Sequence, residues 1–315
     1  VQKRDIFRIK EEISVASNKP NIGEILWDSV QLRASEVRLG DGTLDIRGEL
    51  FVFVLYAADD ENRTKQWLEA VVPFQGQLEC GGCMAGMISD IEVSLAESSL
   101  EVRPDYDGEE RIVQLDAVLE LDIRLYEEDT VSILEDVYSP VRELVPVMGE
   151  EIYESLLMRN YAKCRAQDRL KISEAKPRLL QICHSRGEIK VDEITKTDQG
   201  IQIEGAVEVS VLYITADDGR PFALIEGMVP FSHKMEAEGI AEECRFQLHP
   251  QLEQLSASMI DSEEVEIKCG ISLNLFAVRI HHQNCILDVE ERELDLKRLQ
   301  EKPGIVCYIV QPGDS

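Results

Sequence analysis

One stretch of this chain is written twice. Lys19-Pro20 returns as Lys176-Pro177, Gly48 as Gly205, Leu55-Tyr56 as Leu212-Tyr213 and Val72-Pro73-Phe74 as Val229-Pro230-Phe231, always 157 residues on. A constant offset kept while most intervening residues change is the mark of a duplicated structural unit. The chain therefore folds as two copies of one domain, in line with the two domains expected of 315 residues.

Within each copy the hydrophobic period is two. Leu44, Ile46, Gly48, Leu50, Val52, Val54 and Tyr56 alternate with other residues, and Ile201, Ile203, Gly205, Val207, Val209, Val211 and Tyr213 repeat the pattern. Such alternation predicts a long strand with one face buried. The glycine inside it predicts a bend, a bulge or another backbone close by. Asp41-Gly42 and Asp107-Gly108 are hairpin turn signals. The second leads into Val113, Leu115, Ala117, Leu119, Leu121, Ile123 and Leu125, answered by Val265, Ile267, Cys269, Ile271, Leu273, Leu275 and Ala277. Here the offset drops to 152 or 154, and periodicity does not choose between them. Each copy also carries one helical signal. Ile22, Ile25 and Leu26, matched by Leu179, Ile182 and Cys183, follow the Lys-Pro pair at i, i+3, i+4 spacing. The expected fold is mainly β: two tandem homologous antiparallel β-sandwich or barrel-like domains, each with one short helix.

The chain holds 61 acidic and 33 basic residues, a net charge of −28. That charge repels phosphate backbones and anionic headgroups, so neither nucleic acid nor a membrane surface is an expected partner. The longest apolar run, Phe51 to Ala58, falls far short of the ~20 residues that span a bilayer. Val1-Gln2-Lys3-Arg4-Asp5 opens no apolar signal segment, and a first residue other than Met suggests a piece of a longer chain. Eight cysteines (Cys80, Cys83, Cys164, Cys183, Cys244, Cys269, Cys285, Cys307) ignore the repeat's register and several sit on apolar faces. They read as buried, reduced thiols of an intracellular protein.

Chemistry-bearing patterns are few. Cys80-Gly81-Gly82-Cys83 supplies two of a zinc site's four ligands, and the candidates to complete it, Cys183-His184 or His281-His282 with Cys285, lie in the other copy. A glycine turn is the simpler reading. Gly81 to Gly86 has P-loop glycine spacing, but Met87 stands where lysine is needed. Asp105-Tyr106-Asp107-Gly108-Glu109 lacks the later ligands of a calcium loop and reads as a hairpin turn. All five histidines (His184, His233, His249, His281, His282) lie in the second half, and no spacing sets a base beside a nucleophile. No catalytic residue, metal site or cofactor is expected.

The last residues, Tyr308-Ile309-Val310-Gln311-Pro312-Gly313-Asp314-Ser315, resemble the opening of a LysM domain. Gly313 permits the tight turn, and Asp314 or Ser315 suits a helix N-cap. Together with Lys19-Pro20-Asn21-Ile22-Gly23-Glu24-Ile25-Leu26-Trp27, the Gly205 to Tyr213 strand and the Val-Pro-Phe returns, they make nearly the whole chain similar to SPOCS-domain spore-coat proteins. That resemblance implies a first SPOCS-like domain over 1–140, a linker over 141–162, a second domain over 163–292, a linker over 293–306 and a truncated LysM start over 307–315. It implies a non-enzymatic scaffold of coat assembly in the mother-cell cytoplasm at the forespore surface. The LysM region, with Gly313, Asp314 and Ser315 as its part in this chain, would dock a basement-layer ATPase of the SpoIVA type. The alternative is a LysM-bearing wall protein that binds peptidoglycan. Exposed strand edges leave homo-oligomerisation open.

Overall fold

The computed structural model describes residues 1–197, 199–217, 219–236, 240 and 243–295. The first copy is six strands: β1 (Gln2–Ser14), β2 (Ile22–Leu39), β3 (Thr43–Ala58), β4 (Lys65–Glu79), β5 (Ile88–Pro104) and β6 (Glu110–Tyr126). The second repeats them as β7 (Glu143–Lys171), β8 (Leu179–Thr197), β9 (Gly200–Thr215), β10 (Phe222–Glu236), β11 (Cys244–Met259) and β12 (Glu264–Arg292). Each copy holds two three-stranded sheets, ordered β1-β6-β5 and β2-β3-β4 in the first, β7-β12-β11 and β8-β9-β10 in the second. The alternation read in the sequence fills the space between sheets. Val113, Leu115, Ala117, Leu119, Leu121 and Ile123 of β6 are fully buried against Leu44, Ile46, Leu50 and Tyr56 of β3 in one apolar cluster, and Val265 to Leu275 meet Ile201 to Tyr213 likewise.

The short helix does not form; among the described residues there is none. Ile22, Ile25 and Leu26 lie on β2, and the matching residues on β8. The cause is a pair of β-bulges, between Ile22 and Glu24 and between Ile25 and Trp27, repeated between Leu179 and Gln181 and between Ile182 and His184. Each bulge inserts a residue and turns a spacing of two into three, which imitates helical periodicity. The Lys-Pro pair is instead a clamp on the loop before these strands. Tyr56 donates its hydroxyl to the Pro20 carbonyl at 3.2 Å, and Tyr213 does the same to Pro177 at 3.1 Å. The Lys19 ammonium donates to the Trp67 carbonyl, and Lys176 to that of Leu224. Tyr and Pro thus keep their register by bonding each other, and Lys by bonding a carbonyl of the neighbouring strand, β4 or β10.

Gly48 and Gly205 are places of close backbone approach. A Cβ on Gly48 would sit 2.6 Å from the Ala34 carbonyl oxygen and 2.6 Å from the Phe74 ring, and one on Gly205 would run into the Lys190 carbonyl and the Phe231 ring. Ala34 is left-handed, with φ 46°, at a third bulge between Arg33 and Ser35. Phe74 and Phe231 are the cross-strand partners of these glycines. The Val-Pro-Phe return is therefore a capped glycine, with the proline on an edge strand, where a missing donor disrupts no ladder and blunts outside pairing.

Equivalent hydrogen bonds settle the shorter offset. Val15 N donates to Arg111 O at 2.8 Å and Ile172 N to Glu263 O at 2.7 Å. Residues 15 and 172 keep 157, so 111 and 263 fix the later offset at 152. The interval 141–162, read as a linker, is strand from Glu143 on. Val1–Glu128 and Leu156–Val278 form one compact unit that contains β1 to β6, β8 to β11 and the parts of β7 from Leu156 on and of β12 up to Val278. The described residues of a second unit, 129–155 and 279–295, make a ribbon in which Ile286 N donates to Leu134 O at 2.9 Å and Cys285 is buried. Of the second linker, 296–306 lie outside the described residues, as does the LysM-like start, 307–315.

Gly48→Ala and Gly205→Ala are each expected to cost about 1–3 kcal/mol, because a backbone oxygen must move to admit a methyl group. Urea unfolding of each variant measures this; a neutral result at either position would mean the strands part there without cost.

Candidate functional site at the seam between the repeats

The end of β3 departs from alternation. Val52, Phe53, Val54, Leu55, Tyr56, Ala57 and Ala58 are all buried, so this end is covered on both faces rather than the one expected. Val52, Val54 and Tyr56 fill the first copy's own core. Phe53 and Leu55 form a separate cluster with Cys183 and Leu212 of the second copy, flanked by Trp27, Phe51, Trp67, Ile214 and Phe222. Equivalent positions meet there. Leu55 and Leu212 are repeat mates, as are Trp27 and His184, whose rings lie edge to face at 5.5 Å. Lys65 and Phe222 are mates too, with the ammonium 5.9 Å from the ring centroid. The copies thus join as a homodimer does, by the same patch on each side, but within one chain.

His184 is the chemically odd member. It stacks on Phe53 at 4.3 Å and lies 5.7 Å from Phe51, and is 3% exposed. Gln31 Nε2 donates to its Nε2 at 3.4 Å, which leaves the ring proton on Nδ1, a buried atom without a partner. Burial, then the positive charges of Arg33 and Arg186, push its pKa down to about 4. It is neutral at pH 7 and fits an apolar seam.

A polar cluster elsewhere between the copies has the opposite character. His249 of β11 reaches Asp90 of β5 at 2.8 Å through Nε2 and Glu92 at 3.4 Å through Nδ1. Arg124 of β6 lies 3.6 Å from Asp90 and 2.8 Å from Asp122. Beside it Tyr126 stacks on Phe276 at 5.1 Å. The hydrogen bond to Asp90, against the cost of burial and with help from the charges of Asp90 and Glu92, raises the His249 pKa. A cleft of about 360 Å³ opens here, lined by Asp90, Arg159, Tyr161, His249, Asn274 and Phe276. Both imidazole nitrogens face carboxylates, so His249 holds two strands together and has no nitrogen aimed at the cleft for proton transfer.

Cys80 to Cys83 is a tight turn packed on the Asp41-Gly42 hairpin. Cys83 N donates to Cys80 O at 3.1 Å, Gly42 N to Cys83 O at 2.8 Å, and the Cys83 thiol to Gly40 O at 3.2 Å. Burial, then the neighbouring Cys80, raises the Cys83 pKa. The seven described cysteines are buried, and burial lifts Cys183 and Cys269 to about 11. Among the described residues no three His, Cys, Asp or Glu side chains gather as a metal site. Asp105 closes its turn by accepting from Asp107 N at 2.9 Å and Glu109 N at 3.0 Å. Gly313, Asp314 and Ser315 lie outside the described residues. The sequence marks His184 only as a candidate to complete a zinc site with Cys80 and Cys83, which the structure does not bring about, and nothing in its patterns pairs Asp90 with His249; that His184 occupies the place of Trp27 is the signal that connects it with the seam.

A tandem, all-antiparallel β protein whose two units face each other through one patch defines the structural class. The family described as "SipL, SPOCS domain" matches the chain twice, over residues 21–103 and 178–260, again 157 apart and together more than half of its length. The chain belongs to this family, which points to a role in sporulation or the spore coat. The matched spans cover β2 to β5 and β8 to β11; β1, β6, β7 and β12 complete each sandwich outside them. No curated protein and no solved structure matches the chain. Among the described residues no helix is long and apolar enough to cross a membrane.

The two histidines set opposite limbs of a pH profile. A neutral buried His184 is worth about 3 kcal/mol, fully present above pH 6.5, where the unfolded ring is also neutral, and lost as pH falls towards 4. His249, with its raised pKa, contributes fully below 6.5 and loses that contribution as pH rises through its folded value. Urea midpoints between pH 4 and 8 are expected to flatten on the acid side in His184→Phe and on the alkaline side in His249→Gln. Unaltered limbs in these variants would remove both residues from the account.

Proposed function

We propose that this chain is a non-enzymatic structural part of spore-coat assembly, a scaffold that recruits or encases coat at the forespore surface within the mother-cell cytoplasm. The observation that carries the reading is the doubled SPOCS match at one fixed offset. The physical character of the seam supports it. Its side chains are apolar or are engaged with one another, as in Phe53, Leu55, Cys183 and Leu212, or Asp90 with His249. This suits a spacer that must present surfaces at a fixed separation rather than a site that turns over a substrate. The partner proposed for the LysM region that begins near Tyr308 is an ATPase of the SpoIVA type.

Binding of this chain, and of the chain extended through a whole LysM module, to purified SpoIVA-type protein and to peptidoglycan tests the proposal. The scaffold reading expects the extended form to bind the protein in preference to the glycan. Preference for peptidoglycan would make this a wall protein instead.

A further inference from the structure

Strand β7 carries a row of charge that runs against the rest of the molecule. From Arg159 to Lys171 its outward side chains are Arg159, Tyr161, Lys163, Arg165, Gln167, Arg169 and Lys171, all exposed, while Cys164, Ala166, Leu170 and Ile172 turn into the core. Five of seven outward positions are thus cationic in a chain whose net charge is −28. Lys163 pairs with Glu253 at 2.7 Å and Arg169 with Glu264 at 3.7 Å. Arg159, Arg165 and Lys171 make no ion pair among the described residues. The first copy has a thinner row: the matching places on β1 are Gln2, Arg4, Ile6, Arg8, Lys10, Glu12 and Ser14, three cations and one carboxylate against five cations, and Lys10 is paired with Asp116.

The backbone beneath the row is open among the described residues, where β7 is an edge strand hydrogen-bonded to β12 alone. The edge strands β4 and β10 carry Pro73 and Pro230 as breaks against pairing, whereas no proline interrupts β7 between Arg159 and Lys171. An extended strand laid along this edge would place every second side chain beside the row, since side chains of paired strands alternate together. We propose that the edge of β7 is a docking strand for an acidic, extended segment of another protein, which adds to the sheet with carboxylates at alternate positions facing Arg159, Lys163, Arg165, Arg169 and Lys171. Charge selects the partner: three cations without an ion pair among the described residues, on an otherwise acidic chain, attract carboxylates, repel a basic segment and give a neutral one no such gain.

The test uses the full 315-residue chain and a fluorescent peptide of alternating Glu and Thr, with binding followed by anisotropy. Alongside it run a Lys–Thr peptide, the Glu–Thr peptide N-methylated at alternate residues, and a sulfated oligosaccharide. The Arg159→Gln/Arg165→Gln/Lys171→Gln variant removes only cations without an internal pair, so the fold is expected to persist; its melting temperature checks this. The Glu–Thr peptide should bind, weaken about tenfold or more in the triple variant, weaken as salt rises, and lose affinity when N-methylated. The peptide comparisons on the unaltered chain decide the matter even if the variant unfolds. Failure of the Glu–Thr peptide to bind would leave the row as a simple guard against strand pairing. Equal binding of the Lys–Thr or N-methylated peptide, tighter binding of the oligosaccharide, or no loss in a folded triple variant would each overturn strand addition.

Discussion

The burial of Phe53 and Leu55 against Cys183 and Leu212 is the contact on which the arrangement of the two repeats depends. It forces one end of β3 to be apolar on both faces, which ordinary strands with a solvent side are not. It also dictates what can sit at the neighbouring positions. Trp27 fills the seam from one side, and its repeat mate, His184, must enter as a neutral ring stacked on Phe53 because a charged one would be stranded among aromatics. The ion cluster of Asp90, His249 and Arg124 then supplies a second, directional tie between the copies. Apolar contact gives the seam its strength and the polar tie limits how the faces slide.

Much of the fold was written in the sequence because period-two alternation and turn glycines act over a few residues. The strands β3, β6 and β9 and the Asp41-Gly42 and Asp107-Gly108 hairpins follow from that local pattern. The starts of β2 and β8 carry a helical period in the sequence because two bulges in each break the alternation where it would show. The extent of β7 is not legible in the sequence either, since Glu143 to Ser155 is exposed along most of its length and shows no buried stripe. The seam was the least legible part. Its mates are Trp with His and Lys with Phe, residues that share position but not character, and Asp90 and His249 lie 159 residues apart. Only the unbroken apolar run from Phe51 to Ala58 hinted that a second face needed covering.

Duplication also divides labour between otherwise equal units. Position 111 is Arg in the first copy, bonded to Asn21 Oδ1 at 2.7 Å, and its mate at 263 is Glu, paired with Arg178 at 3.0 Å. The bond survives between the same two places with its polarity exchanged. The clamp residues Lys, Pro and Tyr and the capped glycines have not diverged, because each is fixed by a backbone contact that no other side chain satisfies. Divergence has gone instead to outward faces, where β1 and β7 now differ in charge. A pair of units with one shared seam and unlike outer edges suits a connector between dissimilar neighbours.

The most direct measurement of the seam uses the chain's own probes. Its two tryptophans, Trp27 and Trp67, both flank the seam cluster. Their fluorescence reports on contact between the copies, while far-ultraviolet circular dichroism reports on the strands of both. If the seam joins the repeats into one cooperative body, the two signals change together in urea, with the same midpoint. A tryptophan transition complete at lower urea, with the strand signal intact, would show that the copies part before they unfold and would contradict the account.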